Sequence, residues 1–226
     1  MLEKKSYSIL CVDDNKNMLT MLTLWLTRAG YKSYTAHTAD EALSLINSQN
    51  IDMALIDYRM PETNGFTLIK KIRKDHSFPV IVVSAEKEEM NLVVGLRSGA
   101  DDYISKPVKE ALMLAKIEAL FRRSYIFSSK TLIPLKDGTI HFNSEKNEIS
   151  DGINRIILSH NESVILRKLS QTIGQPVSPK DLCELLGYST EKSLITTVSR
   201  LKSKLIDNGI NNSFIENIRG LGYVVF

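Results

Sequence analysis

The sequence predicts an α/β fold, a doubly wound parallel sheet of five strands, followed by a smaller α+β domain built as a winged helix-turn-helix. Three observations carry this expectation. In the first half, unbroken apolar runs recur between longer amphipathic stretches, as expected of parallel strands buried on both faces and joined by helices. Beyond residue 123 the pattern changes to short strand-like segments divided by turn dipeptides. Helical periodicity then returns three times before a terminal hairpin, the layout of a helix-turn-helix with a β wing.

In chain order, SILCV (Ser8 to Val12), MALI (Met53 to Ile56), PVIVV (Pro79 to Val83) and YIS (Tyr103 to Ser105) read as buried strands, and Tyr31 to Ala36, alternating in polarity, as an edge strand. Thr38-x-x-Glu41 is a capping-box signal for the next helix. Five strands and five helices fit residues 1–123, and periodicity is lost over 124–131. The segments LIPL, TIHF, NEIS and INRIIL follow, with Asp137-Gly138 and Asp151-Gly152 as hairpin turns. Ser159-x-x-Glu162 and Ser178-Pro179-Lys180-Asp181 open two helices, and a third begins near Ser189 or Thr190. Phe214 to Ile218 and Tyr223 to Phe226 make the final hairpin around Arg219-Gly220-Leu221-Gly222.

The 226 residues exceed the usual single domain of about 100 to 150, which gives room for two cores. A composition with 43% hydrophobic and 24% charged residues excludes a largely disordered chain. The first apolar run stops at Asp13 and Asp14, and none reaches the roughly 18 residues of a membrane helix, so a cytoplasmic protein without membrane contact is expected. Cys11 and Cys183 lack a CxxC partner and read as small buried side chains. A net charge of +3 does not by itself imply nucleic-acid binding, so the placement of charge decides.

That placement is informative. Asp13 and Asp14 end the first strand, Asp57 the third, Ser84 the fourth and Lys106 the fifth. The carboxyl edge of a parallel sheet is where ligands bind, so these residues converge on one crevice. Two carboxylates about 4 Å apart repel by roughly 4 kcal/mol at an effective dielectric near 20. A cation relieves this, and an oxygen-only donor set points to Mg²⁺. An aspartate there can be a nucleophile that forms an aspartyl phosphate, with a lysine, a hydroxyl and the metal balancing the phosphoryl oxygens. Asp57 is the candidate. For any one Asp the plainer reading is a solvated acidic rim. An aspartyl-nucleophile phosphatase would place a second acid two residues on, where Arg59 stands.

Together, Asp13-Asp14, Asp57-x-x-Met60-Pro61, Asn64-Gly65, Val83-Ser84-Ala85, Gly99-Ala100-Asp101-Asp102-Tyr103 and Lys106-Pro107 resemble the response-regulator receiver domain, with the CheY-like fold and strand order 2-1-3-4-5. The resemblance implies phosphotransfer to Asp57 from a sensor histidine kinase. It implies Mg²⁺ held by Asp14, Asp57, the Arg59 carbonyl and, through water, Asp13. Ser84 and Lys106 would contact the phosphate, Tyr103 would be the rotamer switch that follows Ser84, and Lys106-Pro107 would be cis. Beyond its own phosphotransfer and dephosphorylation, no enzyme activity is implied.

SHNE, VSPKDL, VSRLKSKL and IRGLGYVV further resemble the winged-helix effector of the OmpR/PhoB family over residues 132–226. On the helix from about Thr190 to Leu205, the stripe Leu194, Val198, Leu201 and Leu205 must face the core. The opposite side is basic and rich in hydroxyls, which in isolation is compatible with a merely solvated face. The resemblance implies a recognition helix placing Lys192, Ser193, Thr196, Thr197, Arg200 and Lys202 near promoter DNA, with Arg219 of the wing in the minor groove. On this reading Arg200 contacts a base, and dimers read direct repeats about one helical turn apart. Ile195 and Thr197 stand where the family commonly has an Asp and a His or Gln. The loop Gly187 to Glu191, which in the family often contacts RNA polymerase, is short here.

Family receivers dimerise through their fourth helix, fifth strand and fifth helix. The corresponding pairs here are Asp101 with Lys116 and Arg97 with Glu118, the latter with reversed signs, while Leu92 and Leu112 replace a third ion pair. This substitution keeps open a second reading, a DNA-binding regulator that acts independently of phosphorylation.

Overall fold

In the computed structural model, the described residues are 7–61, 63–85, 98–125 and 132–226, with side chains left aside for 123–125. The chain divides near residue 118 into two compact units.

The first unit is a parallel sheet in the order β2-β1-β3-β4-β5, formed by β1 (Ser8–Val12), β2 (Lys32–Ala36), β3 (Met53–Asp57), β4 (Val80–Ser84) and β5 (Asp102–Ser105). Every residue of β3 and β4 is buried, whereas in β2 Lys32 and Thr35 are exposed, Ser33 and Tyr34 are half-buried and Ala36 alone is buried, as suits its edge place. Four helices are described: α1 (Lys16–Arg28), α2 (Ala39–Ser48), α3 (Gly65–Ile72) and α4 (Glu110–Tyr125), the last being the helix counted fifth from the sequence. The segment expected to form another helix, 86–97, lies outside the described residues. α4 continues two residues into the expected linker, and 126–131 again lie outside.

The caps depart slightly from expectation. Thr38 accepts from the Glu41 N–H at 3.2 Å, but the Glu41 carboxylate takes the N–H of His37 rather than of Thr38, so only half of the capping box forms. At α1, Asn15 caps by accepting from Asn17 and Met18. The Lys106-Pro107 peptide is cis.

Gly65 opens α3 against the end of β3. A Cβ on Gly65 would run into the Asp57 carbonyl oxygen, a backbone atom that cannot swing aside. Gly65→Ala is therefore expected to destabilise the first unit by about 1 to 3 kcal/mol and to displace the Asp57 backbone. Thermal melts and phosphodonor labelling of the variant check both effects.

The second unit has a four-stranded antiparallel sheet, β6 (Leu132–Leu135), β7 (Ile140–Asn143), β8 (Glu148–Ser150) and β9 (Arg155–Ile157). Three helices follow, α5 (His160–Ser170), α6 (Pro179–Leu186) and α7 (Glu191–Asp207), then the hairpin β10 (Ile215–Ile218) and β11 (Gly222–Val225). Ser178 caps α6, with proline at its first position. The expected stripe Leu194, Val198, Leu201 and Leu205 is buried in one core with Phe142, Phe214 and Val225. The wing is tied to the segment before α6 by paired backbone hydrogen bonds between Val177 and Tyr223. None of the described helices is long and apolar enough to cross a membrane.

Candidate functional site

Each of β1, β3, β4 and β5 delivers its polar residue to the carboxyl edge of the sheet. Carboxylate oxygens of Asp13, Asp14 and Asp57 lie within 4.8 Å of one another, a grouping able to hold a metal ion. Asp13 and Asp57 are almost fully buried, and Asp14 is exposed. The Lys106 ammonium reaches in from beyond β5 and bridges the two buried carboxylates, at 2.8 Å from Asp13 and 3.1 Å from Asp57. The Asp13 carboxylate also accepts from the Asn15 N–H at 2.9 Å.

The electrostatics follow from this packing. Burial pushes the Asp57 carboxyl above the ordinary carboxylate range and Asp13 adds to the push, while Lys106 and a backbone hydrogen bond from Arg59 oppose it. Burial alone would lower the Lys106 ammonium, but its hydrogen bonds to Asp13 and Asp57 carry it above the usual lysine value. A carboxylate raised by burial beside two others is one that a cation would stabilise. Three carboxylates without sulfur or imidazole suit a hard ion such as Mg²⁺. Ser84 is buried at the end of β4. The Tyr103 phenol donates to the Ser84 carbonyl at 3.4 Å, which links the pocket to β5.

At the expected dimer face the structure corrects one pairing. Asp101 is buried, and its carboxylate accepts from the Val80 N–H at 3.0 Å, so it serves the β4 entry rather than an interface. Lys116 pairs instead with Asp102, at 2.6 Å within the chain. A one-residue shift explains this, because neighbouring residues at the start of a strand point to opposite sides. Leu112 is 46% exposed, one turn before Lys116 on α4. Glu118 is exposed and near enough to Tyr31 to raise its phenol, after the larger effect of burial; two residues from Lys116, it sits on a different side of the helix. Arg97 and Leu92 lie outside the described residues.

The winged-helix surface brings two further corrections. Arg200, expected to contact a base, turns inward. Its Nε donates to Glu162 at 2.7 Å and its second guanidinium nitrogen to Ser159 Oγ at 3.0 Å, leaving the side chain 11% exposed. Thr197 is fully buried, its hydroxyl 2.9 Å from the Tyr188 hydroxyl, which in turn accepts from Asn161. Lys204 is also drawn under, donating to the Ile157 carbonyl at 2.5 Å and lying 3.5 Å from Glu162. Glu162 thus completes the α5 capping box with the Ser159 N–H while holding two cations from α7. The sequence carried a signal for this: an acid at the capping-box position of one helix, just before the apolar run Val164 to Leu166, and an excess of bases on another call for each other.

Lys192, Ile195, Ser199 and Ser203 are exposed on α7, with Ser193, Thr196 and Lys202 partly so. The Thr196 hydroxyl donates back to the Lys192 carbonyl at 2.8 Å. Arg219 and Leu221 stand exposed at the tip of the wing.

A β2-β1-β3-β4-β5 sheet with this acidic edge, followed in the same chain by a winged helix, defines a response regulator of transcription. Comparison with known proteins agrees. Residues 9–118 match the family described as response regulator receiver domain, and residues 154–225 match the family described as transcriptional regulatory protein, C terminal. Regulatory protein VanR of Enterococcus faecium is 31% identical, covering 97% of this chain and 99% of its own. Transcriptional regulatory protein CpxR of Escherichia coli K12 is 31% identical over 96% of this chain and 97% of its own. Among solved structures, a mutant of RitR superposes with a TM-score of 0.82 at 21% identity, over 98% of this chain and 99% of that one, a likeness of fold. The chain belongs to the OmpR/PhoB family of two-component response regulators, with a receiver and a DNA-binding winged-helix domain.

Proposed function

We propose that Asp57 accepts a phosphoryl group from a phosphohistidine of a sensor histidine kinase, and that phosphorylation drives dimerisation and sequence-specific binding to promoter DNA. In this assignment the receiver spans 1–123, the linker 124–131 and the effector 132–226. The observation that carries the reading is Lys106 bridging Asp13 and Asp57 in a buried acidic pocket. In the transfer, a carboxylate oxygen of Asp57 forms the new O–P bond as the N–P bond of the donor breaks and the imidazole leaves. Lys106 and the Ser84 hydroxyl would contact the phosphoryl oxygens. Mg²⁺, held by Asp14, Asp57, the Arg59 carbonyl and, through water, Asp13, would neutralise charge there.

Phosphorylation adds about −1.5 to −2 charges. Drawing Ser84 toward that charge frees space into which Tyr103 turns, which couples the pocket to the face formed by β5 and α4. Leu112, with Lys116 and Asp102 at its side, is the described part of the proposed dimer surface; Leu92 and Arg97 would complete it. On DNA, Lys192, Ser193, Thr196 and Lys202 of α7 approach the major groove, and Arg219 of the wing the minor groove. The short loop Gly187 to Glu191 would meet RNA polymerase where the regulator activates.

The 46% exposure of Leu112 on that face favours a second reading, DNA binding independent of phosphate. Duplexes selected from a random pool by the full chain, then bound with and without phosphoramidate and Mg²⁺, separate the two. Phosphate control predicts about tenfold or more tighter binding with the donor, in the usual range of coupling energies. Equal affinity supports the second reading.

A further inference from the structure

With Arg200 and Lys204 turned under toward Glu162 and Thr197 buried, the outward face of α7 presents an unusual reading surface. The side chains that pair with two atoms of one base edge are chiefly arginine for guanine and asparagine or glutamine for adenine. Neither amide occurs in α7, and its one arginine is engaged by Glu162 and Ser159. Ile195 stands on this face with 55% of its surface exposed. Thr196, beside it, commits its hydroxyl to the Lys192 carbonyl. Lysines at both ends of the patch, Lys192 and Lys202, suit a phosphate-lined partner rather than an apolar protein groove. In the major groove the C5 methyl of thymine is the base-edge group that an isoleucine matches.

We propose that Ile195 is a specificity-determining residue that reads a thymine methyl in the major groove, so that each half-site requires an A·T pair at the position it faces. The inference rests on the DNA-binding reading above. Reading by a methyl contact selects A·T orientation through shape and burial, without the guanine preference that a free Arg200 would have imposed.

The test uses the full chain and a duplex selected from a random pool, with each thymine replaced in turn by deoxyuridine, which removes only the methyl. Burying one methyl predicts about fourfold weaker binding at one position per half-site and little change elsewhere. Ile195→Ala, which should melt with the parent because the side chain is exposed, is expected to bind the thymine and deoxyuridine duplexes equally, and Ile195→Val to keep part of the preference. Indifference of the parent to every replacement overturns the inference, as does a penalty that persists unchanged in Ile195→Ala. Failure to enrich any duplex would remove the DNA-binding reading and this inference with it, whereas an enriched duplex insensitive to its methyls removes this inference alone.

Discussion

Asp57→Asn is expected to reduce acyl-phosphate labelling by acetyl phosphate or phosphoramidate to background, because an amide has no carboxylate oxygen with which to form the O–P bond. Labelling at the parental level would remove Asp57 from the role. The substitution is nearly isosteric, so loss of labelling will not reflect unfolding, and the sign of its effect on stability is itself a check. Burial holds the Asp57 carboxyl above its ordinary range. A group whose acid form is favoured by folding costs stability as pH rises through its folded value. In metal-free buffer near pH 7 the asparagine form should therefore melt no lower than the parent. A clearly lower melting temperature would mean that the Lys106 contact outweighs burial and carboxylate repulsion.

The second large effect lies in the winged helix. Glu162→Gln is expected to destabilise the second unit by about 3 to 5 kcal/mol, since it leaves Arg200 and Lys204 partly buried without their counter-charge. Burial alone would raise the Glu162 carboxyl, but Arg200, then Lys204 and the Ser159 N–H, bring it from 4.5 down to about 2. A depressed carboxylate contributes stability that is fully present above its unfolded value of 4.5 and is lost as pH falls toward 2. The shift corresponds to about 3 kcal/mol. Acid titration of the parent should show this loss across that window, and Glu162→Gln should flatten it. Because Trp25, in the first unit, is the only tryptophan, its fluorescence does not report on this region; hydrogen exchange of the α5 and α7 amides does. An unchanged exchange rate in the variant would show that the three-residue cluster contributes little. Arg200→Ala is then expected to weaken binding to all duplexes alike, through folding, rather than to relax specificity at one base.

These two regions differ in how far they could be read without a structure. The acidic pocket was legible because each of its residues follows an apolar run, and in a parallel sheet the ends of the strands meet at one edge whatever the details of packing. Asp13, Asp57, Ser84 and Lys106 needed only the order of the elements to be brought together. The stripe Leu194, Val198, Leu201 and Leu205 was legible because a period near 3.6 picks out one side of a helix.

Arg200, Thr197 and Asp101 were not legible, for a common reason. A helical wheel separates inward from outward, but at a flank the direction depends on what lies beside the helix. Arg200 is settled by Glu162, 38 residues earlier in the chain, and Thr197 by Tyr188 and Asn161. Asp101 and Asp102 differ by one position at the start of a strand, where a single residue exchanges the two faces and composition offers no preference. By itself the sequence determined the two domains, the strand-end pocket and the apolar side of α7, because these follow from periodicity and topology. Tertiary structure alone decided which polar side chains face outward and which are held by one another, because that choice is made by partners brought close only when the chain is folded.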